Sequence, residues 1–375
     1  MNGLSEEHGS TKLRNFDSRF LCNKTYTTKE DQENGVVTME NRYSRQILLP
    51  EIGTEGQSKL AASSVLVLGC GALGTVISET MVRAGVGKIH IVDRDIVEVS
   101  NLQRQVLFDE NDALKKMPKA HAAAIKLRAI NSAIEVEGTV ADLNAKNVEA
   151  LISDASLVLD GTDNMETRYL LNDACVKHSK PWIYGGCVGT GGLVLPVLPG
   201  IGPCLRCVFK QAPPPGTLPT CDVAGVLATA TIVTAAMQST EAIKLIIGNT
   251  SGVGRFTQVD VWQGTQISMK VDRSDDCPAC ALGQFDFLTK KSTTWVTSLC
   301  GRNAVQIVPA GEVTLNLERI LDTLPKETKP LHNGITLTFT VNEHELVIFP
   351  DGRALVKGTT DKRVGRSLYA SYIGS

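Results

Sequence analysis

The sequence predicts an α/β protein: a mixed sheet with helices on both faces, an antiparallel part, and a small C-terminal α+β domain. Three observations carry this reading. Short apolar runs alternate with helix-length segments from Ser64 onward. The first run leads into a glycine-rich turn and then a helical pattern, the strand–loop–helix–strand signature of a parallel sheet. Beyond about residue 189, extended segments take over, as antiparallel neighbours do.

In chain order, residues 1–40 are polar with few apolar clusters and read as a flexible extension. The globular part is expected to begin at Asn41-Arg-Tyr-Ser-Arg-Gln-Ile-Leu-Leu. A strand at Ser64–Leu68 precedes Gly69-Cys-Gly-Ala-Leu-Gly74. A helix follows to about Ala84, ended by Gly85 and Gly87, and then a second strand, Lys88–Val92, reaches Asp93. A helix from Lys119 to Ile130 starts just after Pro118. Strands at Glu135–Val140 and Leu157–Asp160, a helix at Met165–His178 and a strand at Trp182–Gly185 continue the alternation. Gly189–Leu198, Arg255–Trp262 and Thr265–Asp272 read as antiparallel strands, the last two joined by a turn at Gln263-Gly264. Lys210–Thr220, with Pro213, Pro214, Pro215 and Pro219, is a loop. A helix from Asp222 to Ile247 follows and stops at Gly248.

The uncharged stretch Val223–Thr240 is long enough to span a membrane, but its threonines and glutamine, and the continuation of its pattern through Glu241 and Lys244, favour a buried helix. From about Leu288, short strands (Val305–Val308, Ile335–Val341, Glu345–Phe349, Ala354–Val356) and two helices (Leu315–Leu324, Lys362–Tyr372) define the small separate domain. The expected division is therefore 1–40, 41–287 and 288–375.

Composition narrows the function classes. Of 375 residues, 42% are hydrophobic and 21% charged, as in a soluble globular protein. A net charge of -2 argues against a partner held mainly by phosphate electrostatics, so no nucleic-acid partner is expected, and no membrane partner either. The first forty residues are charged throughout and lack an apolar secretory core. With four of the ten cysteines in two Cys-x-x-Cys pairs, the compartment is expected to be reducing and the protein cytoplasmic.

Gly69, Gly71 and Gly74 form a GxGxxG turn between strand and helix, where backbone N–H groups can approach phosphates; Asp93, at the end of the next strand, can hold ribose hydroxyls. This Rossmann-like pattern specifies an adenine nucleotide and fits NAD and ATP equally, so an NAD-dependent oxidoreductase stays open at this point. The following segment, Ser100-Asn-Leu-Gln-Arg-Gln105, and then Met117-Pro-Lys-Ala120, place Arg104 and Lys119 as fixed cations near the nucleotide. Attack on a phosphoryl group needs such cations; hydride transfer does not. In Asp160-Gly-Thr-Asp-Asn164 the second carboxylate, Asp163, is placed to bind Mg²⁺ beside a triphosphate, and Asn164 to cap the next helix. Cys204-Leu-Arg-Cys207 and Cys277-Pro-Ala-Cys280 supply four thiolates for a closed, structural Zn²⁺ site. Cys221, after the proline-rich loop and before a helix, is a candidate thiolate nucleophile. Cys70, Cys175 and Cys187 read as core or tight-loop residues. Cys300 lacks the following helix that a persulfide-carrying loop needs.

Taken in order, Asn41-Arg-Tyr-Ser-Arg-Gln-Ile, the glycine turn, Ser100-Asn-Leu-Gln-Arg-Gln, Pro118-Lys-Ala, Thr162-Asp-Asn and the paired Cys-x-x-Cys motifs resemble the ThiF/MoeB family, relatives of the ubiquitin-activating enzymes, over about Asn41–Gly283. The resemblance implies that ATP and Mg²⁺ are used to adenylate the C-terminal Gly-Gly carboxylate of a small ubiquitin-like sulfur carrier, ThiS-like or MoaD-like, in thiamine or molybdenum-cofactor chemistry. It implies that Asp93 holds the ribose, that Asn101, Arg104 and Lys119 contact phosphates with Ser100 and Asn164 beside them, and that Asp163 binds magnesium. It further implies a homodimer in which Arg45 reaches the partner's site, and a covalent role for Cys221 in some members, such as a carrier thioester. The chain departs from the family where Lys116-Met117 replaces a common Gly-polar pair. The last domain resembles tails of some bacillus-type ThiF-like proteins and does not look like a rhodanese, so sulfur is expected from a separate donor protein.

Overall fold

A strand covered on both faces must be apolar along its whole length. Ser64–Leu68 (β1) and Leu157–Asp160 (β4) meet that requirement, with almost every residue buried. They lie at the centre of an eight-stranded sheet in the computed structural model, which describes residues 39–212, 224–289, 296–299, 303–309 and 313–373. The other strands are Lys88–Asp93 (β2), Glu135–Val140 (β3), Trp182–Val188 (β5), Gly191–Val197 (β6), Arg255–Asp260 (β7) and Thr265–Lys270 (β8). Their order is β3-β2-β1-β4-β5-β6-β7-β8. The first five strands are parallel, and β5 to β8 pair antiparallel. The mixed sheet expected from the sequence is therefore present.

The direction of strand order reverses between β1 and β4: β2 and β3 extend to one side, β5 to the other. In open α/β sheets this switch point opens a crevice at the carboxyl ends of the strands.

Helices Ala72–Ala84, Lys119–Ile130 and Ala228–Ile247 contribute to one core, with Leu73, Ile77, Met81, Leu127 and Ala235 buried together with residues of β1 and β2. Met165–Lys177 supplies Leu171, Ala174 and Cys175 to a second core with β4, β5 and the cysteine-bearing segments. From Ala228 on, the uncharged stretch lies in helix Ala228–Ile247, which buries one face, with Thr234 and Gln238 fully buried, and leaves Ile232 and Val233 exposed on the other. Among the described residues, no helix is long and apolar enough to cross a membrane.

Several sequence boundaries shift. That helix begins at Ala228 rather than Asp222: Gly225 has φ +74, and Gly189 and Val226 form a bridge instead. The β7–β8 connection uses Val261–Gly264, where the Asp260 carboxylate accepts from the backbone N–H groups of Trp262 and Gln263. β5 runs on to Val188 because β6 pairs with it through Gly191. Short helices at Gly53–Ala61, Glu110–Leu114, Val148–Ser153 and Leu205–Val208 went unforeseen.

A second sheet is antiparallel, in the order β11-β12-β13-β14-β10-β9. It comprises Val296–Leu299 (β9), Ala304–Ile307 (β10), Leu331–His332 (β11), Leu337–Val341 (β12), His344–Ile348 (β13) and Ala354–Lys357 (β14), with helices Leu317–Thr323 and Lys362–Tyr372. Residues 1–44 and 45–375 are two units. Of the first, 39–44 are described and open helix Met39–Ile47.

Candidate functional site

The three glycines of the turn after β1 have different physical reasons. Gly69 has φ +87, a conformation L side chains rarely adopt, and a Cβ there would lie 2.6 Å from the Gly161 oxygen. A Cβ on Gly74 would lie 1.9 Å from the Gly69 oxygen, and one on Gly161 2.4 Å from it. These three residues let the loops after β1 and β4 touch backbone to backbone at the switch point. Gly71 is not needed for packing: a Cβ there would meet nothing nearer than Gln105, at 3.9 Å. Gly71 is also the N-cap of Ala72–Ala84, with no side-chain cap and no acid in the first turn. The positive end of that helix faces space that the fold leaves open, the arrangement that receives a phosphate.

Asp93 ends β2 and is 8% exposed. One carboxylate oxygen accepts from the Cys70 N–H (2.5 Å) and the other from the Asp95 N–H (2.7 Å). Burial pushes this carboxyl above its ordinary value, and the Lys119 ammonium pulls part of the way back. Lys119 is 4% exposed, so it is no solvated surface lysine. Its ammonium lies 3.4 Å from Asp95, and its own N–H donates to the Asp95 carbonyl (2.9 Å). Asn101 is buried and its side-chain oxygen accepts from the Glu98 N–H (3.1 Å). Arg104 donates to the Ser100 carbonyl (2.9 Å). Gln105, 4% exposed, lies beside Gly71, and its side-chain oxygen has no partner among the described residues. The sequence reading passed over Gln105 because its amide character gains meaning only beside the glycine turn.

Asp163 is exposed after β4, next to Asn164, which caps Met165–Lys177 by accepting from the Thr167 N–H (2.8 Å). An exposed carboxylate at the carboxyl end of β4 suits Mg²⁺, which keeps several waters and shares itself with substrate phosphates. The loop is held from beneath by residues the motifs did not single out. Asp160, fully buried, accepts from the N–H and hydroxyl of Thr162 (2.9 and 2.6 Å) and pairs with Arg168 (3.1 Å). Arg168 also donates to the carbonyls of Thr162 (2.6 Å) and Gly185 (2.9 Å). Removing one partner of a buried ion pair leaves the other charge uncompensated. Arg168→Met is therefore expected to destabilise the chain by about 3–5 kcal/mol in chemical denaturation; a loss under about 1 kcal/mol would contradict the network.

Of the sequence-selected residues, Gly69, Gly71, Asp93 and Asp163 thus lie at or just after the carboxyl ends of β1, β2 and β4, Gly74 in the first turn of Ala72–Ala84, Asn101 in the turn Val99–Asn101 and Lys119 at the start of Lys119–Ile130, with Ser100, Arg104 and Asn164 adjoining. Arg45 is exposed in the last turn of Met39–Ile47. Cys221 and Cys300 lie outside the described residues.

The other constellation is the four cysteines. The sulfur of Cys204 lies 3.5 Å from that of Cys277 and 4.0 Å from that of Cys207, and Cys207 lies 3.4 Å from Cys280. All four sulfurs fall within 4.8 Å of one another and none is in a disulfide. A tetrahedron with metal–sulfur bonds of about 2.3 Å has edges of about 3.8 Å, so the donors fit zinc. A hydrogen bond from the Cys204 thiol pushes Cys207 down, while that same bond and burial push Cys204 up, and burial and the neighbouring sulfurs push Cys280 up, so a bound cation would be needed to hold all four as thiolates. Behind the cluster, Arg206 pairs with buried Asp173 (3.2 Å) and with Asp286 (3.1 Å), and Asn172 accepts from the Leu205 N–H (2.9 Å). These bonds dock Leu205–Val208 on Met165–Lys177, so the cysteine cluster is tied to the helix that Asn164 caps.

Comparison with known proteins gives a consistent pattern. A family model described as "ThiF family" matches residues 43–279, ending before the second sheet. The sulfur carrier protein ThiS adenylyltransferase of Bacillus subtilis strain 168 is 42% identical over 339 residues, which are 90% of this chain and all of that protein. The sulfur carrier protein adenylyltransferase of Thermus thermophilus is 37% identical over 267 residues, 70% of this chain and 96% of that protein. The adenylyltransferase and sulfurtransferase MOCS3 of Sus scrofa is 41% identical over 241 residues, 64% of this chain and 52% of that protein. Among solved structures, a crystal structure of E. coli MccB with ATP aligns with a TM-score of 0.57 at 24% identity, covering 64% of this chain and 75% of that chain, and attests the fold.

Proposed function

The chain belongs to the ThiF family, and from that premise we propose that it uses ATP to adenylate the C-terminal carboxylate of a small ubiquitin-like sulfur-carrier protein. A carboxylate oxygen of the carrier tail attacks the α-phosphorus. The bond from that phosphorus to the bridging oxygen of pyrophosphate breaks, and the products are a carrier acyl-adenylate and pyrophosphate. The observation that carries the reading is Lys119, a buried cation 3.4 Å from Asp95 and beside the ribose-binding candidate Asp93. A fixed ammonium there stabilises charge building up on the phosphates as the bond breaks.

In this assignment the ribose hydroxyls meet Asp93, and phosphate oxygens meet the N-terminus of Ala72–Ala84, Asn101, Arg104 and Lys119, with Ser100 and Asn164 at the margins. Asp163 would hold Mg²⁺, which supplies neutralising charge at the triphosphate. Arg45 is assigned to the site of a second copy, so the active form is a homodimer, and the metal of the four-cysteine centre is zinc. Sulfur comes from a separate donor protein, and a reducing compartment, the cytoplasm, is assigned to the reaction; the thiols free of disulfides support that reading. The oxidoreductase reading lapses with the family assignment, and no observation favours a thioester at Cys221 over direct adenylation.

The test is exchange of labelled pyrophosphate into ATP. Exchange is expected only with a ThiS-like or MoaD-like carrier ending in free Gly-Gly, and is lost when that terminus is amidated. No exchange with any such carrier would defeat the assignment.

A further inference from the structure

Asp93 and Lys119 are joined by a short ladder. The Val97 N–H donates to the Met117 carbonyl (2.8 Å), the Lys119 N–H to the Asp95 carbonyl (2.9 Å), and Ile96 bridges Pro118. The ladder has the ribose candidate at one end of its first strand, the turn bearing Asn101 at the other, and the phosphate cation at the end of its second strand. A tilt of the ladder would move all three groups.

The second sheet grips this ladder at both strands. On the first, Arg353, 2% exposed and stacked 3.9 Å from the Phe349 ring, donates to the Arg94 carbonyl (2.8 Å). Ile96 is enclosed by Val347, Phe349 and Leu355. Lys357 pairs with Glu98, the residue whose N–H holds Asn101. On the second, Lys116 has φ +48, a left-handed conformation that costs an L residue roughly 1–2 kcal/mol. The Asn333 side chain donates to the carbonyls of Lys115 (3.1 Å) and Lys116 (3.0 Å), and the Lys116 ammonium pairs with Glu345. Glu345 also meets Lys357 (3.1 Å), so the two grips are one connected network.

We propose that the second sheet is a positioning element of the nucleotide site: Arg353, Asn333, Glu345 and Lys357 hold the ladder so that Asp93, Asn101 and Lys119 keep the spacing of one nucleotide. These four are positioning residues: each contacts the ladder or a residue bound to it, and acts on the site through it. The proposal rests on the adenylation reading. It gives the region beyond the family model a task in the same reaction.

The test uses the full chain with Asn333→Ala and Lys357→Met, both at half-buried positions, with Lys357→Arg as the conservative control. ATP KM, carrier KM and kcat are read from pyrophosphate exchange, alongside Tm. The expected result is a rise in ATP KM of about tenfold with carrier KM unchanged, and recovery in Lys357→Arg. ATP KM within twofold of the unaltered chain in both substitutions would overturn the proposal, as would ATP and carrier KM rising together with a fall in Tm. Absence of exchange in the unaltered chain would instead overturn the adenylation reading, and this proposal with it.

Discussion

Lys119→Met is expected to lower the rate of carrier-dependent pyrophosphate exchange by about 10²- to 10³-fold at saturating ATP, the usual cost of deleting one preorganised group that stabilises transition-state charge. The size of the effect follows from where the ammonium sits. It is 4% exposed and its backbone is pinned to Asp95, so water cannot replace it at the same point. A mobile surface lysine would be worth far less. The substitution has a second, separable signature. Lys119 favours the charged form of Asp93, whose burial already raises its pKa. Without the ammonium the Asp93 carboxyl rises further, so residual activity should fall off on the acid side at a higher pH than in the unaltered chain. Exchange within threefold of the unaltered rate, with an unmoved acid limb, would remove Lys119 from the phosphate site.

The second large effect concerns the four cysteines. Cys277→Ser is expected to abolish stoichiometric zinc and to destabilise the fold by on the order of 4 kcal/mol or more, since loss of a structural metal is among the few single-residue causes of so large a change. That corresponds to a fall in Tm of about 5 °C for a chain of this length. Cys277 is 1% exposed and its sulfur lies 3.5 Å from Cys204, so a serine oxygen there would be a poor and buried substitute. Metal content and thermal unfolding of the freshly purified chain, with and without a strong chelator, check both parts. A chain free of metal and indifferent to the chelator would show that the cluster is four packed thiols.

What was legible in the sequence follows from how locally each feature is encoded. The glycine turn, Asp93 and the Cys-x-x-Cys pairs could be read because their chemistry resides in residue type and short spacing. Arg168 and Gln105 could not be read that way. Arg168 acquires its role by reaching Gly185, on a different strand, and Gln105 by lying under Gly71. The same holds for Arg206, which anchors the cysteine cluster to Asp173, 33 positions earlier in the chain. Helices such as Val148–Ser153 and Leu205–Val208 span too few residues for a 3.6-residue period to declare itself. The start of Ala228–Ile247 was misplaced because uncharged composition continues upstream of Gly225, whereas the backbone there is committed to a bridge with Gly189. Lys116 departs from the glycine common in the family and still takes a left-handed φ; contacts with Asn333 and Glu345, more than 200 residues away in sequence, support that bend.

The cysteine cluster also bears on how the chain reaches its fold. Cys204 and Cys277 are 73 positions apart, and the stretch between them carries Ala228–Ile247, β7 and β8. Closing a loop of that length costs a flexible chain about 4 kcal/mol of entropy. A metal bound early by the two Cys-x-x-Cys pairs would offset that cost before the distant pairing of β6 with β7 has to form. Refolding should then be limited by loop closure in metal-free buffer, and should accelerate when zinc is supplied at the start rather than after the chain has collapsed.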